Sequence, residues 1–162
     1  MLIAHLPAGY ILFHTVKKNR LLDEKSKRPL FFGILLGSIL PDLDTIWFYA
    51  LSDRSEVHHS YWTHTPFFWT VLFIFGFVAS RFFKNQRLSV FILDVWISAM
   101  LHLCLDTIAG QIRWAWPFSN RAIQFVEIPA THSWWVMSFI NHWTFLLEII
   151  LIVIASIIYF KN

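Results

Sequence analysis

An all-α fold, an integral membrane helical bundle of four to five membrane segments with a long outer loop, is predicted by three observations. The chain is 57% hydrophobic and only 14% charged, with a mean hydropathy of +0.55, far from an ordinary soluble domain. Apolar stretches approaching the roughly 20 residues that cross a bilayer recur at 30–50, 66–83, 88–109 and 143–160. Basic residues gather in short stretches between them. That is membrane topology rather than a nucleic-acid surface, so the net charge of +3 carries no expectation of a nucleic-acid partner.

The first apolar segment, Leu2 to Val16, is shorter and contains Pro7, which makes it a short span or a re-entrant piece. It does not read as a secretory signal, because its basic cluster follows the apolar stretch instead of preceding it. Before the third segment, Thr65 is placed to cap a helix and Pro66 to take its first position. Residues 110–142 form the long connection, broken by Pro117 and Pro129, with Trp114, Trp116, Trp134 and Trp135 as interfacial anchors. No repeat or low-complexity tract divides the chain, and residues 1–162 are read as one membrane-embedded domain. A single cysteine, Cys104, has no partner for an internal disulfide.

Orientation follows from the basic residues. Ten of the 13 fall at 17–29, 81–87 and Lys161, which an alternating path puts on one side. That side is expected to be cytoplasmic. Arg54, Arg113 and Arg121 then face outward with the long loop.

The depth of the polar residues points to a site. Asp42 and Asp44, in "LPDLD", come about 18–21 Å after the second segment enters, and His102 and Asp106, in "HLCLD", about 21–27 Å into the fourth, at ~1.5 Å per helical residue. His59 and His64 precede the third segment and His5 lies near the outer end of the first. Separate segments thus bring His or Asp to one outer level with no lysine or arginine to match them. Metal binding explains that convergence. The i, i+4 spacing of His102 and Asp106 sets both on one helix face, and Pro41 interrupts the helix just before Asp42 and Asp44. His14 and His132 are read as packing residues, His58 as an unassigned neighbour, and the aromatic run "PFFWTVLFIFGF" as lipid-facing or packing surface.

In order, "HL" with His5, "LPDLD" with Asp42 and Asp44, H-x4-H ending in "THT" with His59 and His64, and "HLCLD" followed by "WPF" resemble the YdjM-type, inner-membrane-associated metal-dependent hydrolases. That family is distantly similar to zinc-dependent phospholipase C and related zinc nucleases, helical enzymes with a polynuclear zinc site. The resemblance implies His5, Asp44, His59, His64, His102 and Asp106 as metal ligands. Asp42 is a further ligand or the catalytic general base. THT stands where THS is more usual, and His142 and Glu148 lie six apart where those enzymes carry H-x3-E.

Mixed imidazole and carboxylate donors suit zinc, with manganese or iron as further candidates, in a site of one to three ions. Three aspartates leave a pair of divalent ions cationic, so the expected substrate is a phosphoester of a membrane lipid or lipid-linked phosphate, with Arg54, Arg113 or Arg121 holding the phosphate. Two other classes compete. In one the metal is structural or regulatory without catalysis. In the other Asp94, Ser98, His102 and Asp106 form a proton or ion ladder through the fourth segment, and Asp94 discriminates because a metal site alone does not need it. Oligomeric state leaves no signal in the sequence.

Overall fold

The computed structural model of the chain describes residues 3–19, 24–50 and 61–161. Among these, regular structure is helical: α1 (His5–Asn19), α2 (Glu24–Ile39), α3 (Asp44–Ala50), α4 (Pro66–Phe82), α5 (Gln86–Asp106), α6 (Trp135–Ile140) and α7 (Phe145–Lys161). Short 3₁₀ turns occupy Leu40–Leu43 and Trp62–His64. Two stretches are long and apolar enough to cross a bilayer, Lys27–Ile46 and Gln86–Asp106. Of the four to five expected segments, the others form shorter helices: α4 and α7 have 17 residues each and α1 has 15.

The helix α5 is the centre of the bundle. On it pack α2 and α4, while α1 packs on α2 and α7. The α2–α5 pair is close because Gly33 and Gly37 remove side chains from the contact. A Cβ at Gly37 would run into the Val95 carbonyl oxygen and lie 2.8 Å from Ser98 Cβ, and one at Gly33 would lie 3.0 Å from the Phe91 carbonyl oxygen. Such small-x3-small spacing lets two membrane helices pack backbone to backbone. Hydroxyl groups then stitch the pair: Ser38 Oγ and Ser98 Oγ lie 2.8 Å apart, and both reach the Ile34 carbonyl oxygen, at 2.9 and 2.7 Å.

These contacts fix directions. Gly33 beside Phe91 and Gly37 beside Val95 make α2 and α5 parallel. Gly9 against Ser38 and Phe13 against Phe31 make α1 antiparallel to α2. The Ile3 backbone N–H donates to Glu148 Oε2 at 2.6 Å, which ties the start of α1 to the start of α7. The helix ends near Lys17, Arg28, Arg81, Arg87 and Lys161 therefore share one end of the bundle. His5, Asp42, His102 and Asp106 lie at the other.

Local chemistry accounts for the breaks. Pro41 has no N–H to continue the ladder of α2, and the chain tightens into the Leu40–Leu43 turn before α3 begins at Asp44. Pro66 opens α4 as expected, but Thr65 makes no side-chain cap; its hydroxyl donates back to the Trp62 carbonyl at 2.7 Å. At the other end of that hairpin Asn85 caps α5, its Oδ1 accepting from the Leu88 N–H at 3.1 Å. The long connection is a folded loop. Ile112 and Ile123 exchange both backbone hydrogen bonds, at 3.0 and 2.9 Å, and Phe125 N–H donates to the Thr107 carbonyl at 3.0 Å. This draws the loop back over the outer end of α5.

Candidate metal centre

Two 3₁₀ turns and two helix ends build the site. The first turn of α1 supplies His5, the 3₁₀ turn after α2 supplies Asp42, the 3₁₀ turn before α4 supplies His64, and the last two turns of α5 supply His102 and Asp106. His102 is 16 residues from the start of α5, about 24 Å of rise at 1.5 Å per residue. Each element delivers one or two donors, so the site forms only where all of them meet.

Donor atoms from His5, Asp42, His102 and Asp106 lie within 4.8 Å of one another. Asp106 is at the middle: its Oδ1 is 3.1 Å from His5 Nε2, and its Oδ2 is 3.0 Å from His102 Nε2 and 3.6 Å from His64 Nε2. Asp42 Oδ1 closes the group at 3.5 Å from His102 Nε2 and 3.6 Å from His64 Nε2. The His5 and His102 rings stack with centroids 3.6 Å apart. All these side chains are buried except Asp42, which is 37% exposed and forms the open edge.

The surrounding groups aim the donors. His102 Nδ1 lies 2.8 Å from the Ser38 carbonyl oxygen, an acceptor only, so that nitrogen carries a proton and Nε2 is turned toward the carboxylates. His64 Nδ1 lies 2.5 Å from Asp44 Oδ2, which also accepts the Thr63 hydroxyl, and the Thr63 carbonyl in turn accepts from Trp69 Nε1 at 2.7 Å. Burial disfavours a charged His64, but the Asp106, Asp42 and Asp44 carboxylates around its ring outweigh it and raise its pKa to about 11. Among the described residues, Nδ1 of His5 is buried without a hydrogen bond, and Nε2 of His5 and Nε2 of His102 are buried against the Asp106 carboxylate at 3.1 and 3.0 Å. Buried nitrogens of that kind, facing two carboxylates, are what a divalent ion satisfies.

The positions singled out in the sequence thus divide. His5, His64, His102 and Asp106 come together, and Asp42 joins them. Asp44 turns to the far nitrogen of His64 rather than to the four-residue group. His59 and Arg54, with His58, lie outside the described residues. Arg113 is half-buried and Arg121 exposed, each within two residues of the Ile112–Ile123 bridge in the loop that begins at Thr107, next to Asp106. His142 pairs locally, its Nδ1 3.0 Å from Thr144 Oγ1. His14 packs between the Tyr10 and Phe13 rings. Three supports escaped sequence reasoning: the Ser38 carbonyl, Thr63, and Glu148 as the anchor of residue 3. Ser38 lies two residues before "LPDLD" and Thr63 opens "THT", which is the available signal.

Comparison with known proteins agrees in one respect. A family model described as YdjM inner membrane protein matches residues 1–162, the whole chain, so the chain belongs to that family. No curated protein and no solved structure matches it.

Proposed function

From that membership of an inner membrane family and the His/Asp group, we propose that the protein is a membrane-bound metal-dependent hydrolase acting on a phosphoester of a lipid or lipid-linked substrate. The observation that carries this reading is the meeting of His5, Asp42, His102 and Asp106 within 4.8 Å, with His64 alongside and one edge open. A bound divalent ion, zinc before manganese or iron, supplies Lewis-acid polarisation of a phosphoester oxygen and acidifies a water for attack.

The chain's own residues do the rest. His5, His102 and Asp106 hold the ion from the buried side, and His64, fixed by Asp44, completes the wall. Asp42, at the exposed edge, is a further ligand or accepts the proton of the attacking water. Arg113 and Arg121 lie on the loop that folds over α5, and with Arg54 they are the candidates for gripping the phosphate. On this reading the site faces the periplasmic side, because the basic helix ends lie opposite it.

An exposed carboxylate favours catalysis over a closed structural centre, whose ion would have no access to water. The ion-ladder reading gains little: the hydroxyl of Ser98, between Asp94 and His102, is engaged with Ser38 and the Ile34 carbonyl and serves helix packing.

Metal analysis of the purified wild type and His102→Ala, coupled to hydrolysis of lipid phosphoesters with and without chelator, tests the proposal. Stoichiometric metal in the wild type, lost in the variant, with chelator-sensitive turnover, is expected. A wild type without metal ends the hydrolase reading; metal without turnover on any phosphoester favours the structural role.

A further inference from the structure

Both α2 and α4 pack on α5, yet they hardly touch each other. A groove of about 240 Å³ runs between them with α5 as its floor, lined by Leu36, Leu40, Trp69, Leu72, Phe73 and Ile92 among other apolar side chains. Every side chain lining it is apolar, so the groove suits a hydrocarbon chain. Its walls at Leu36 and Leu72 are 41% and 47% exposed, on the outer surface of an apolar bundle, so the groove opens sideways toward lipid.

The outer end of the groove shares its walls with the metal centre. Leu40 begins the 3₁₀ turn that carries Asp42. Trp69 donates its indole N–H to the carbonyl of Thr63, the residue before His64, at 2.7 Å. From Leu36 to Leu40 the wall rises about 6 Å at 1.5 Å per residue and ends two residues from the exposed carboxylate. Leu40 and Trp69 thus join the groove wall to the two turns that carry Asp42 and His64.

We propose that this groove seats one acyl chain of a glycerophospholipid whose phosphate lies at the His/Asp centre, a statement that rests on the hydrolase reading for the headgroup and extends it to the tail. The groove supplies binding from the non-reacting part of the substrate, holding the phosphoester at the site while the second chain stays in the bilayer.

The test uses the full chain in phosphatidylcholine nanodiscs with a trace of phosphatidic acid carrying a photoactivatable diazirine midway along one acyl chain, the crosslinks being mapped by mass spectrometry. Labelling is expected to concentrate on groove residues such as Phe73 and Ile92, severalfold above the lipid-facing Phe160. Leu36→Trp, which places an indole in the groove, is expected to reduce groove labelling severalfold without changing labelling at Phe160; Leu72→Trp makes the same test from the other wall if the first variant does not fold. A diacylglycerol with the same diazirine chain is expected to label the groove less, since it lacks the phosphate. Even labelling over all lipid-facing residues, insensitivity to both Trp variants, equal labelling by the diacylglycerol, or preferential labelling by a diazirine polyprenyl phosphate overturns the proposal. Zinc content in the same samples separates the two readings. Zinc without groove labelling removes the chain seat alone, whereas phosphate-dependent groove labelling without zinc keeps the chain seat and removes the hydrolase.

Discussion

Asp44 and His64 show how much a single side chain contributes by aiming another. With Oδ2 of Asp44 2.5 Å from Nδ1 of His64, the imidazole presents Nε2 to Asp42 and Asp106. Removing such a partner typically weakens metal affinity about 10–100-fold. Asp44→Asn is therefore expected to retain the fold and bind zinc within that range more weakly, measured by competition with a chromogenic chelator; unchanged affinity would sink the positioning role. Protons compete at the same atom. Because His64 holds its proton up to about pH 11 in the metal-free protein, uptake of zinc near neutrality releases that proton, and apparent affinity falls as pH falls. Calorimetric titration in two buffers of different ionisation enthalpy reads the proton directly. Without metal the sign reverses for stability: the raised pKa favours the fold fully below the ordinary histidine range, and this is lost as pH climbs toward about 11. At this scale "LPDLD" and "HLCLD" are legible because each puts a carboxylate where an apolar stretch has no reason to hold one. Which of Asp42 and Asp44 faces the donor group is not legible, since D-x-D leaves them equivalent until the 3₁₀ turn sets their directions.

The pairing of α2 with α5 is the element on which the site depends, because the turn that follows α2 carries Asp42 and the end of α5 carries His102 and Asp106. Gly37 is its tightest point. Gly37→Leu forces the helices apart at Val95 and Ser98, and overpacking of this kind costs about 1–3 kcal/mol. A lower thermal midpoint together with reduced metal content is the expected outcome; a midpoint equal to wild type would show that the helices are not held in this register. Ser98→Ala is the milder change. It removes a hydrogen bond of a type worth about 0.6 kcal/mol between membrane helices, and metal content is expected to stay at the wild-type level. The spacing of Gly33 and Gly37 is readable as a close-packing signal, but its partner is not, because two glycines four apart do not say which helix approaches. Helix lengths read less well than helix positions. The segment at 143–160 begins two residues late because His142 and Thr144 bond to each other in a turn, a local preference that hydropathy does not register.

Across the whole molecule, metal and fold are expected to be coupled. An ion held by α1, α5 and two turns cross-links elements that otherwise meet through few buried apolar side chains. A ligand at 100 times its dissociation constant stabilises the state that binds it by about 2.7 kcal/mol. Chelation should therefore lower the thermal midpoint of the wild type and leave that of His102→Ala unmoved; equal shifts in both would mean that chelator acts elsewhere. The helical class, and the placing of the site at the end of the bundle opposite the basic residues, are legible from apolar length and basic loops. Contacts made over the full length of the chain are not, and the bond from Ile3 to Glu148, 145 residues apart, is the clearest case.

That bond also sets a timetable. Glu148 leaves the ribosome 145 residues after Ile3, so the anchor at the beginning of α1 does not exist until the start of α7 has been made. A nascent chain carries every metal donor before it carries the means to hold the first of them in place. Among the donors, His5 is the one whose seat depends on a part of the chain made after all of them.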